Sequence, residues 1–172
     1  MLAEQPKFVD LILISILLTS CYTDLRYGKI YNVITIPSCI AGILLNYLAL
    51  GRAGLSYSFL GLAAGAAMLL PFYLAGVLGG GNVKLFAAIG AFKGFEFVTS
   101  SMIASLAVMA VTAVFITIIK RNVLRQSKNI FSFFISLVLP WLKTEIPGKK
   151  DGYPLSTGFA VLTGVIAVYY LR

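Results

Sequence analysis

The chain has 172 residues, 59% of them hydrophobic and only 12% charged, with a mean hydropathy of +0.94, and this composition excludes an ordinary water-soluble domain. The net charge of +8 does not point to nucleic acid, because the basic residues fall in the gaps between apolar runs and no aromatic-basic surface accompanies them. Two cysteines without C-x-x-C spacing, and no histidine, remove the usual ligands of zinc and haem and the usual catalytic base.

The bilayer is therefore the useful ruler. A spanning helix needs about 20 apolar residues, so this length accommodates roughly six. The expected fold is an all-α, polytopic membrane protein of about six transmembrane helices, read as one domain over 1–172 with a polar loop at about 120–154. In chain order the spans are expected at about Phe8 to Tyr22, Val33 to Leu50, Tyr57 to Leu78, Val83 to Phe95, Phe97 to Ile119 and Leu155 to Leu171. The first run has no basic leader and no small-residue cleavage site after it, so it is read as a retained helix. The fourth is short and interrupted by glycine, which favours a tilted or broken helix. Ile130 to Leu142, ending at Pro140-Trp141, is too short to cross and reads as interfacial or re-entrant.

With an external N-terminus and strict alternation, ten basic residues fall on the inner side and four (Lys7, Arg52, Lys93, Arg172) on the outer. The inner ten include Arg26, Lys29, Lys84 and seven from the 120–154 region. That bias places the connections after the first, third and fifth spans on the cytoplasmic face. Gly61 with Gly65, and Gly90 with Gly94, have the spacing of helix-packing surfaces and are given no catalytic role.

Two polar stretches carry the candidate chemistry. The first, Thr23-Asp24-Leu25-Arg26-Tyr27-Gly28-Lys29-Ile30-Tyr31-Asn32, follows the opening apolar run. Asp24 there could cap a helix or balance Arg26, or it could handle protons in a partly dry setting. The second, Gly79-Gly80-Gly81-Asn82-Val83-Lys84-Leu85, interrupts apolar sequence between the third and fourth spans. Three glycines make a simple turn, or let backbone approach closely enough to set the next polar side chain at a cleft mouth.

Together these stretches resemble the prepilin peptidases. The glycine run followed by a polar residue, a spacer and Lys84 is similar to that family's Gly-x-Gly-Asp-x-Lys motif, and Asp24-Leu25-Arg26 with Ile30 and Asn32 is similar to the segment of its first catalytic aspartate. Ala87-Ala88, Gly90, Gly94, Tyr153-Pro154 and Gly164 extend the likeness through most of the chain. The resemblance implies a membrane aspartic endopeptidase that removes the basic leader from type IV pilin or pilin-like precursors at the cytoplasmic face of a bacterial inner membrane. Its short form, without the methyltransferase-associated domain, is the better match, which implies neither a cofactor nor a metal. The partners implied are a precursor with a basic leader and apolar helix, and the lipid bilayer.

That chemistry needs two carboxyl groups sharing a proton. Asp24 matches one position, and Asn82 stands at the other. A carboxamide hydrogen-bonds but cannot shuttle a proton near neutral pH, so the chain as written is expected to bind substrate and cleave it poorly or not at all. Asn82 fits an introduced substitution that traps an inactive form, or a natural non-catalytic relative. Gly79, Gly80, Gly81 and Lys84 are the expected supporting residues. Glu145 and Asp151 are the other acids expected on that face, more simply paired with nearby lysines. The alternatives are a non-catalytic pilus or secretion assembly factor, and a small membrane transporter component in which Asp24 and the glycine break line an ion path.

Overall fold

The computed structural model describes residues 7–74, 78–119 and 157–171. The polar loop at about 120–154, the Ile130 to Leu142 stretch, Glu145 and Asp151 lie outside the described residues. Within them the fold is all-α: α1 (Lys7–Tyr27), α2 (Asn32–Leu74), α3 (Gly80–Ile119) and α4 (Thr157–Leu171). Three of these helices are long and apolar enough to cross a membrane, and α4 is a shorter apolar helix.

Glycine chemistry sets the boundaries. α1 ends where Gly28 adopts φ 62° and its N–H donates to the Asp24 carbonyl at 2.8 Å, a left-handed cap that costs glycine little. α2 and α3 are each two helical limbs joined at one glycine: Gly51 (φ 60°, ψ −136°) and Gly94 (φ 76°, ψ −173°). At Gly51 the chain reverses, since a Cβ on Gly54 would overlap the Asn46 carbonyl and Asn46 bonds Ser58. The limb 52–74 then runs antiparallel to 80–93, with Gly61 against the Gly90 carbonyl and Gly65 against that of Phe86. Backbones meet there because neither position carries a side chain. Among the described residues the limbs number six, in the expected order. The fourth, expected to be tilted or broken by glycine, is helical as far as Gly94, where the backbone leaves helical geometry, and at ~1.5 Å per residue it is only about 20 Å long.

Polarity is turned outside in. The buried positions of α2 are Thr35, Ser38, Gly42, Asn46, Gly54, Ser58, Gly61, Gly65 and Leu69, while Ile36, Ile40, Leu44, Leu48 and Leu60 are exposed. Small and polar residues therefore face neighbouring helices and large apolar ones face outward, as hydrocarbon surroundings require. Asn46 donates to Ser58 Oγ (2.8 Å), the Ala91 carbonyl (2.9 Å) and the Phe92 carbonyl (3.1 Å), tying both limbs of α2 to α3. The apolar core lies between α1, α3 and α4, around Leu13, Leu17, Ile89, Phe92, Val98 and Val165.

The contacts also fix which ends coincide. α1 and α4 are antiparallel, with Asp24 beside Gly158 at one end and Asp10 beside Tyr169 at the other. Gly81 approaches Ile30, and Lys84 reaches Asn32. The end of α1 and the starts of α2, α3 and α4 consequently share one end of the bundle. At the opposite end, Lys93 forms an ion pair with Asp10, and Tyr169 donates to Asp10 at 3.0 Å.

Candidate active site

Asp24 belongs to the last turns of α1 rather than to a loop after it, because the helix runs on past the apolar segment until Gly28 stops it. The residue is 9% exposed. Its Oδ2 accepts the Gly158 N–H at 2.8 Å and lies 3.4 Å from the Thr157 hydroxyl. These donors are the first residues of α4, whose opening N–H groups have no partner within their own helix. The helix N-terminus and the carboxylate thus satisfy one another. The fit is close: a Cβ on Gly158 would stand 3.0 Å from Asp24 Cβ, 3.1 Å from Cys21 Cα and 3.2 Å from Asp24 Oδ2.

Asn82 likewise sits in a helix, in the first turn of α3, with its N–H donating to the Gly79 carbonyl at 3.0 Å. Only Gly79 precedes the helix; Gly80 and Gly81 are its first residues. Gly81 is the glycine that packing demands, since a Cβ there would come within 2.8 Å of Ile30 Cβ. A Cβ on Gly80 would stand 3.1 Å from the Tyr73 ring, and one on Gly79 would meet nothing within 4 Å. Asn82 is 5% exposed, and among the described residues its buried Oδ1 has no hydrogen-bond partner, a condition shared with the side-chain oxygens of Ser20, Thr35 and Ser101.

Asn82 lines a narrow, mainly apolar cavity with Leu69, Leu78, Phe86, Ser105 and Thr157. Thr157 therefore reaches Asp24 on one side and faces the Asn82 cavity on the other, and this shared residue brings the two candidate positions into one region. Lys84 does not join it: its ammonium donates to Asn32 Oδ1 at 2.8 Å and binds α3 to the start of α2. Among the described residues, no three His, Cys, Asp or Glu side chains gather as metal ligands would.

Thr157 and Gly158 are the site residues missed by sequence reasoning. The Pro154, Ser156, Thr157 succession is a helix-start signal, but it says nothing of a carboxylate 134 positions earlier.

Comparison with known proteins comes to the same place. No curated protein and no solved structure matches the chain significantly. Residues 11–119, a stretch that includes both Asp24 and Asn82, match the type IV leader peptidase family. On a match over more than half of its length, the chain belongs to the type IV leader peptidase family.

Proposed function

We propose that this protein is a membrane aspartic endopeptidase that removes the basic leader of pilin-like precursors, with Asp24 and position 82 as the two halves of its proton-handling pair. Family membership carries aspartic-type peptidase activity on such precursors in general. The finer reading rests on one observation: Asp24 and Asn82 lie at the same end of the bundle, both buried, with Thr157 common to their surroundings. In the active form, water's proton passes to Asp24 as its oxygen bonds the scissile carbonyl carbon. A carboxyl at 82 gives its proton to the carbonyl oxygen; the C–N bond then breaks as Asp24 passes the proton it took to the leaving amine nitrogen and the carboxylate at 82 takes one back from a hydroxyl of the tetrahedral intermediate. No cofactor or metal enters this scheme.

Asn82 can hold a substrate carbonyl through its NH₂ but has no proton to give. On this reading the chain as written binds precursor and fails to cleave it. We read the chain as one domain over 1–172 of a multi-pass inner-membrane protein, and the basic-residue bias supports a site that opens to the cytoplasm. A second reading, a non-catalytic assembly factor for a pilus or secretion system, draws on the same amide. A transporter finds less support: Asn46, a buried polar side chain of α2's first limb that an ion path would use, spends its donors on helix contacts. Replacing Asn82→Asp and following processing of a pilin precursor in membranes separates these readings. Mature pilin is the expected product, and continued absence of cleavage would remove the enzyme reading.

A further inference from the structure

Asp24 and Asn82 are both buried, yet their surroundings differ in kind. Oδ2 of Asp24 meets a backbone N–H, which can only donate, and a hydroxyl, which can donate. That oxygen is therefore fixed as an acceptor. Among the described residues, Oδ1 of Asn82 meets no donor, and it borders an apolar cavity. A carboxyl placed there would be without the groups that favour a charge, and a neutral acid is the form such a site tolerates. In an aspartic pair one member must be the acceptor that activates water and the other the donor that polarises the carbonyl. The two environments are divided along that line.

We infer that the first turn of α4 is a positioning device, in which the Gly158 N–H and Thr157 hydroxyl hold Asp24 as the water-activating member of the pair and leave position 82 as the proton-bearing member. The inference rests on the peptidase reading above and adds to it two residues and a structural cause for its division of labour. Glycine at 158 gives the device its close fit, since a Cβ there would stand 3.0 Å from Asp24 Cβ and 3.2 Å from its Oδ2, and the neighbours would have to give by a few tenths of an ångström. Asn82 then replaces the member whose task is to donate a hydrogen bond. An amide keeps that bond and loses only the proton transfer.

The test uses the full chain in membranes and two readouts. In the Asn82→Asp background, Thr157→Val is expected to lower kcat about threefold to tenfold, the scale of one hydrogen bond, with little change in KM. Thr157→Ser, which keeps the hydroxyl, restores kcat, and Gly158→Ala lowers it at least as far as Thr157→Val. A residue that only stabilised the fold would not separate valine from serine in this way. Unchanged kcat in both Thr157→Val and Gly158→Ala, or a loss that serine fails to rescue, overturns the inference. The second readout needs no activity: labelling of Asp24 by a hydrophobic carbodiimide, which attacks protonated carboxyls, in the chain carrying Asn82. Labelling severalfold faster in Thr157→Val and Gly158→Ala supports the holding role even if Asn82→Asp proves inactive, in which case the peptidase reading alone falls. Labelling unaffected by either substitution sinks the positioning role whatever the cleavage assay gives.

Discussion

Gly94 and Gly51 join the limbs of the two long helices, and both hold backbone angles that are strained for any other residue. Their surroundings separate them. A Cβ at Gly51 has nothing within 4 Å, whereas one at Gly94 would overlap the Tyr57 ring, whose hydroxyl bonds the Lys93 carbonyl. Gly51→Ala is expected to cost about 1–3 kcal/mol through backbone strain alone, and Gly94→Ala distinctly more, because the ring must also move. Thermal unfolding in detergent gives the order, and equal losses would show that the packing of Tyr57 on Gly94 is incidental. Of the site, Asp24 and position 82 were legible because residue type and order carry them. Thr157 and Gly158 were not, because their role exists only once α4 lies against α1. Lys84 was legible as a motif residue, yet its partner, Asn32, emerged only from the fold.

At the scale of elements, the long apolar runs announced the spans because hydrocarbon demands length and apolarity from each one separately. Their ends were less visible. Periodicity cannot tell that Asp24 continues α1 or that Gly80 opens α3, since those boundaries depend on a left-handed cap at Gly28 and on the approach of Gly81 to Ile30. The small-residue pairs were legible as packing surfaces, and Gly61 against Gly90 is such a contact. The clamp at the far end was not foreseen: Asp10 of α1, Lys93 of α3 and Tyr169 of α4 meet there, with Lys93 also lying 5.2 Å from the Tyr169 ring centre. Removing one partner strands the other in poorly solvated surroundings. Asp10→Asn or Lys93→Met alone is expected to cost about 2 kcal/mol, scaled down from a fully buried pair, and the double replacement less than the sum of the two. A double-mutant cycle on unfolding in detergent measures this, and strict additivity would show that the pair is not coupled.

For the whole molecule, the arrangement sorts polar groups to two ends. One end carries Asp24, Asn82, Lys84 and Asn32, and the other Asp10, Lys93 and Tyr169. Sequence made the apolar spans legible, and with them that the two motifs share one end of the bundle, because alternation brings the end of the first span to the start of the fourth. The depth of each motif inside its helix was hidden, since burial is a property of neighbours. On the bias of basic residues we propose that the Asp24 end faces the cytoplasm. In a chain with Cys21 and Cys39 replaced by alanine, cysteine introduced at Lys29 is therefore expected to react with an impermeant thiol reagent from the cytoplasmic side only, and cysteine at Glu96 from the opposite side only. Labelling of both from one side would refute the paired arrangement of crossings. The most direct measurement of the account as a whole is precursor cleavage in proteoliposomes by Asn82→Asp and by Asn82→Asp combined with Asp24→Asn. The account expects leader release from the first and none from the second; no release by the first, or release that survives the loss of the Asp24 carboxylate, would contradict it.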